Sequence, residues 1–179
     1  MRDWIIYGAQ VIFVCLLSYW TVLMALGQSV DILDAIDLVF HEAGHTLTVF
    51  FGEFVYVLGG TLGQLLVPVL LSLAFFVKQD WLGTLIMLWW AGQSLVNVGI
   101  YVADARAQEL PLLVDGGHDW AYLLGKLHLL QFDELIGEAF TLTGLVIMIA
   151  AIIFSIQFLW HEFEQLWHEL KDDAEPVAN

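Results

Sequence analysis

The chain has 179 residues, 60% hydrophobic and 14% charged, with twenty Asp plus Glu against five Lys plus Arg and a net charge of −15. That balance excludes a nucleic-acid binder, whose phosphate partner needs a basic face. The single cysteine, Cys15, excludes a disulfide scaffold and a cysteine-built metal site. The apolar content is far from disordered composition, and the charged share is well below the roughly 25% of a soluble domain, which leaves a membrane protein.

Taken in chain order, residues 4–30 carry no Asp, Glu, Lys or Arg. This stretch is longer than the roughly 7–15 apolar residues of a cleaved signal, and Met1-Arg2-Asp3 is nearly neutral. Ala25-Leu26-Gly27 is a weak cleavage-like sequence, yet an uncleaved N-terminal helix over 4–27 is the expectation. Residues 31–52 are apolar at most positions but broken by Asp34, Asp37, His41, Glu42 and His45, which predicts a fifth helix that spans or partly spans. Charge inside a membrane helix costs about 2.5–3.5 kcal/mol per group, so these residues need a functional reason.

Residues 54–77, 81–103 and 139–160 are again free of charge. A helix crosses the hydrocarbon core with roughly 20 residues, whereas an apolar run of about 10–14 suits a buried soluble helix. Residues 54–58, aromatic and β-branched between Gly52 and Gly59-Gly60, predict a short strand or interfacial hairpin, with the next helix starting near Thr61. Pro111 and Gly116-Gly117 predict an irregular segment over 104–118, followed by a short helix over 119–130. A last helix over 136–160 and an acidic tail over 161–179 complete an all-α polytopic membrane protein. It has about five transmembrane helices in one membrane domain whose core is 34–130.

His41-Glu42-Ala43-Gly44-His45 is an HExxH pattern. Residues four apart share a helix face, so both imidazoles can reach one metal ion, and Glu42 can act as general base on a water beside it. Two neutral imidazoles with an oxygen ligand suit zinc, and the small Ala43 and Gly44 let another helix or a substrate approach closely. Catalytic zinc takes three protein ligands. Asp115 is the preferred third, because Pro111 before it and Gly116-Gly117 after it let the backbone turn and present the carboxylate. Asp104 is the rival, although Arg106 beside it suggests an interfacial ion pair; His118 reads as a supporting or interfacial histidine.

These motifs resemble those of the site-2 proteases, the intramembrane zinc metallopeptidases. That family carries HExxH, a small-residue motif on the next helix, and then Asn-x-x-Pro-x-x-x-Leu-Asp-Gly. Leu110-Pro111-Leu112-Leu113-Val114-Asp115-Gly116-Gly117-His118 is similar to the end of that pattern, with Val114 in place of leucine. Gly59-Gly60-Thr61-Leu62-Gly63-Gln64 occupies the place of the middle motif, with Gln64 where the family often has Asn. The resemblance covers residues 36–130. The family's Asn before the proline and its Gly-Pro pair are absent, Asn97 and Gln108 being the nearby amides, and no PDZ-type domain fits in the chain.

The resemblance implies a three-helix zinc-metalloprotease core with a substrate-pairing strand over 54–58. It also implies one Zn2+ held by His41, His45 and Asp115, with Glu42 as the base that drives hydrolysis of a membrane-embedded protein substrate. Gln64, Asn97 and Gln108 are candidates for hydrogen bonds to the substrate backbone or oxyanion, with helix–helix hydrogen bonding the equal alternative for each. Two other readings stand beside the peptidase. One is a catalytically silent relative that binds membrane partners, and the other is a metal-handling or transport protein using the same ligands in transit, for which Glu42 would be superfluous. The expected location is the lipid bilayer of the plasma membrane. Five spans would put Arg2, Arg106 and Lys126 on one side and Lys78 and Lys171 on the other. His161 and His168, beside Trp160 and Trp167, read as part of an amphipathic helix leaving the bilayer rather than a second metal site.

Overall fold

The structure, a computed structural model, describes residues 2–110 and 117–174. Asp115 therefore lies outside the described residues. Six α-helices follow in order: α1 Arg2–Ala25, α2 Asp31–Thr48, α3 Glu53–Val77, α4 Trp81–Ala103, α5 Asp119–Lys126 and α6 Asp133–Ala174. One-turn 3₁₀ helices at Val49–Phe51 and Leu130–Phe132 lead into α3 and α6, and there is no strand among the described residues.

Four helices, α1, α3, α4 and α6, are long and apolar enough to cross a membrane, which is consistent with a membrane protein. The bundle's outward side chains are large and apolar, including Ile12, Tyr19, Leu70 and Phe154. The expected fifth span does not join them: α2 is 18 residues long and carries Asp31, Asp34 and Asp37.

Residues 54–58 are helical, not a strand, and α3 begins at Glu53 rather than near Thr61. Gly52, at φ 89° and ψ 163°, turns the chain in a conformation that side-chain-bearing residues disfavour, and the helix starts on the next residue. The β-branched and aromatic composition of 54–58 is overridden because these residues have no strand to pair with. In an apolar bundle the helix satisfies backbone groups locally. Similarly, α6 does not stop near 160 but runs 42 residues through the acidic stretch.

The core is a seam between α4 and α6. A Cβ built on Gly92, Gly99, Gly137 or Gly144 would collide with the backbone of the opposite helix, so only glycine permits this approach. Val14 of α1 packs with Leu82 and Leu159, and Trp89 Nε1 donates to Thr21 Oγ1 at 2.8 Å. Trp4 meets Phe163 edge-on with 6.0 Å between ring centres. The start of α1 thus lies at the end of the bundle that holds the start of α4 and the far part of α6. This places residue 2 with Lys78 and Lys171, not with Arg106 and Lys126 as five spans would require.

Helix α3 runs antiparallel to α4, with Val57 and Leu58 against the cluster of Val98 and Val102 and Ser72 Oγ donating to Thr84 O at 3.0 Å. Helix α2 begins and finishes in the same half of the bundle. Near its start Asp34 meets Asn97, and at its end Thr48 meets the carbonyl of Tyr56, the residue before Val57. Its glycine-lined face explains the close fit on α3, because a Cβ on Gly44 would overlap the Gly59 carbonyl. Gly44, one of the two small residues between Glu42 and His45, therefore admits a helix, as the sequence suggests.

Candidate metal centre

His41 and His45 stand one turn apart on α2, with ring centres 4.8 Å apart. One ligand atom each from His41, Glu42 and His45 can be chosen so that all lie within 4.8 Å of one another. The His41 ring is buried and His45 partly so, and both border a cavity of about 440 Å³ together with Glu42, Gln64, Tyr101 and Asp119.

A second carboxylate completes the group. Asp119, the first residue of α5, places Oδ2 at 2.8 Å from His41 Nε2 and 3.2 Å from His45 Nε2. Its position is fixed from behind, since its backbone N–H donates to the Tyr101 hydroxyl at 3.1 Å. Ligand atoms about 2.0–2.2 Å from a shared zinc keep distances from one another of this order.

The opposite ring nitrogens of both imidazoles face acceptors. His45 Nδ1 lies 2.8 Å from the Tyr56 carbonyl, which can only accept, so Nδ1 donates. His41 Nδ1 lies 3.4 Å from Gln64 Oε1, again an acceptor, so here too the proton sits on Nδ1. In the neutral form each ring then carries its lone pair on Nε2, facing Asp119 Oδ2. Two neutral rings facing a carboxylate in this way suit a cation held between them, whereas a protonated ring would donate its Nε2 proton to Asp119.

Gly60 of α3 closes the group from a fourth side. A Cβ built there would overlap His41 Nε2 and His45 Nε2 alike, so both nitrogens point at one small space above a bare backbone. The donor set, two imidazoles and a carboxylate with Glu42 alongside, suits zinc.

Other sequence candidates are placed as follows. Gln64 and Asn97 both border the cavity and are bonded to each other, Gln64 Nε2 donating to Asn97 Oδ1 at 2.9 Å. Gln108 is exposed, its Nε2 directed at the Ala105 carbonyl at 3.4 Å, and it does not join the cavity lining. Arg106 pairs with Asp133 and Glu134 rather than with Asp104. Asp104 instead accepts from the backbone N–H groups of Glu109 and Leu110 at 2.9 and 3.1 Å.

His118 is enclosed between elements. Its ring stacks on Tyr101 at 4.2 Å, Nδ1 accepts from the Ala121 N–H as the cap of α5, and Nε2 lies 3.4 Å from Asp104 Oδ2. Burial pushes its pKa down, against the opposing pull of Asp104. Capping α5 through Nδ1 and stacking on Tyr101, His118 holds α5 and hence Asp119 in place. His161 and His168 are exposed on the far part of α6, where Trp160, Phe163 and Trp167 pack on one another.

Asp119 is the residue that sequence reasoning missed. An Asp opening a short helix is ordinary, since it complements the helix dipole. Its only distinguishing signal is proximity to the Gly-Gly-His turn. No family model, no curated protein and no solved structure matches this chain.

Proposed function

We propose that the protein is an intramembrane zinc metalloendopeptidase, a multi-pass protein of the plasma membrane that hydrolyses peptide bonds of membrane-embedded substrates. The observation that carries this reading is the meeting of His41 Nε2, His45 Nε2 and Asp119 Oδ2 beside the carboxylate of Glu42. A transit site for metals needs the ligands but has no use for the fourth group. The resemblance to the site-2 proteases supports the same chemistry.

His41, His45 and a carboxylate from the segment after α4 would hold the ion. Asp119 is the carboxylate that stands at the two nitrogens, while the resemblance points to Asp115. Bound zinc supplies Lewis acidity, polarising a carbonyl and acidifying water. Glu42 takes the proton of the water whose oxygen adds to the scissile carbonyl carbon. It then hands that proton to the amine nitrogen as the C–N bond breaks, leaving a carboxylate and an amine. The cavity beside these groups gives an extended substrate segment room that a helix, with its peptide groups shielded by their own hydrogen bonds, would not use.

The test is zinc content and cleavage of a membrane-helix substrate by the purified full chain. Glu42→Gln should keep one zinc and lose cleavage by about 10²–10⁴-fold. Asp119→Ala should lose zinc and cleavage together. Zinc retained in Asp119→Ala but lost in Asp115→Ala would transfer the third ligand to Asp115. A wild-type chain that holds no divalent ion sinks the reading, and one that holds zinc yet cleaves no helical substrate leaves the silent, partner-binding relative in its place.

A further inference from the structure

The buried polar groups behind His41 form a single chain. Asn97 Nδ2 donates to Asp34 Oδ1 at 3.0 Å, Gln64 Nε2 donates to Asn97 Oδ1 at 2.9 Å, and His41 Nδ1 meets Gln64 Oε1 at 3.4 Å. Three helices contribute: α2 supplies both ends, α4 and α3 one amide each.

The direction of this chain is not free. Asp34, as a carboxylate, only accepts, so Asn97 must turn its nitrogen that way and its oxygen toward Gln64. Gln64 is fixed a second time, because its Nε2 also lies 3.4 Å from the Ser94 carbonyl, another obligate acceptor. Gln64 must then turn its oxygen to His41. Every amide in the chain is used as donor on one side and acceptor on the other, and the whole is polarised toward the negative end.

We propose that Asp34, Asn97 and Gln64 are positioning residues for the metal. They form a carboxylate–amide–amide relay that keeps the His41 proton on Nδ1, aims its Nε2 lone pair at the ion and raises its basicity. Metal-binding histidines commonly hand their second N–H directly to a carboxylate. Here two amides carry that influence from a carboxylate seven residues earlier on the same helix. Direct contact on α2 is impossible, since residues seven apart are about 10 Å apart along a helix axis. The relay also accounts for Gln64 and Asn97 without a substrate: their amides are already engaged.

This inference rests on the zinc reading, and the experiment separates the two. Zinc affinity of the full chain in detergent is measured by chelator competition, with helix content followed by circular dichroism. Asp34→Asn removes the charge at constant size and should weaken zinc about tenfold, and Asn97→Leu, which cuts the chain, should weaken it by up to about 100-fold. Asp34→Asn combined with Gln64→Glu should restore affinity to within a few-fold of wild type. The carboxylate then accepts directly from His41, Asn97 turns over to donate to it, and the new amide at position 34 donates to Asn97.

Unchanged affinity in both Asp34→Asn and Asn97→Leu overturns the relay and leaves the zinc reading intact. A double variant as weak as Asp34→Asn alone also overturns it, because the charge at position 34 would then act on zinc by a route other than the amides. If Asn97→Leu loses helicity, the two size-preserving variants decide. A wild-type chain without zinc overturns both proposals at once.

Discussion

Gly60 has no side chain, yet it sets the size of the space in which the two imidazoles converge. A methyl group there would stand where both Nε2 atoms point. Alanine is favoured over glycine inside a helix by about 1 kcal/mol, so α3 itself gains from the change. Gly60→Ala is therefore expected to leave helix content unchanged while zinc falls from one ion per chain to nearly none, as metal analysis and circular dichroism of the same sample would show. A Gly60→Ala protein with wild-type zinc affinity would place the ion elsewhere. His41, Glu42 and His45 were legible in the sequence because four residues make one helical turn, so local spacing sets their geometry. Asp119 was not, because 78 residues separate it from His41 and only the packing of α5 against α3 and α4 brings it in. Gln64 and Asn97 were found as polar residues in apolar helices, but their partners, being on other helices, could not be read from spacing.

Helices were legible where a run of apolar residues met a clear stop. The bounds of α4 match the charge-free run, with Asp80 capping it by accepting from the Gly83 N–H at 2.8 Å. The start of α3 was misread because β-branched residues favour strands only where a neighbouring strand exists. For helix α2 the sequence left a full or a partial span open, since an apolar helix with three aspartates can be either a span or a segment tied inward. Asp37 shows which. Only 1% exposed, it accepts from Trp90 Nε1 at 3.0 Å, Gln93 Nε2 at 2.9 Å and Ser94 Oγ at 2.9 Å, joining α2 to α4. Removing the acceptor leaves three donors without a partner, and each buried group so orphaned costs about 1–3 kcal/mol. Asp37→Ala should thus lower stability by at least about 3 kcal/mol, read as an earlier unfolding midpoint in detergent, with Asp37→Asn intermediate because it keeps one acceptor oxygen. Since α2 carries His41 and Glu42, zinc affinity should fall along with stability. A Asp37→Ala chain as stable as wild type would mean that α2 is held by its glycine contacts with α3 alone.

At the scale of the molecule, the number of crossings decides which end of the bundle the metal centre opens toward. Helix α2 enters and leaves in one half, so α1, α3, α4 and α6 are the only four helices among the described residues with the length and composition to cross. With four crossings the N-terminus lies with Lys78 and Lys171, as the contact of Trp4 with Phe163 requires. With five crossings it would lie with Arg106 and Lys126. Both schemes agree on Lys78, Lys126 and Lys171, so only the N-terminus separates them. In a chain with Cys15→Ser, single cysteines at Asp3, Lys78 and Lys126 can be labelled in sealed vesicles with a reagent that does not cross the membrane. Asp3→Cys and Lys78→Cys should react from the same side and Lys126→Cys from the other. Asp3→Cys reacting with Lys126→Cys instead would make α2 a full crossing and carry the HExxH turn through the bilayer. The four-span result has a mechanistic corollary. His118 and Asp119, which open α5, lie beside Tyr101 near the end of α4, so water should reach Glu42 from the side of the membrane on which Lys126 is labelled. A membrane-impermeant chelator added to that side alone should then strip zinc from the wild-type chain, while the same chelator added on the side of Lys78 should not.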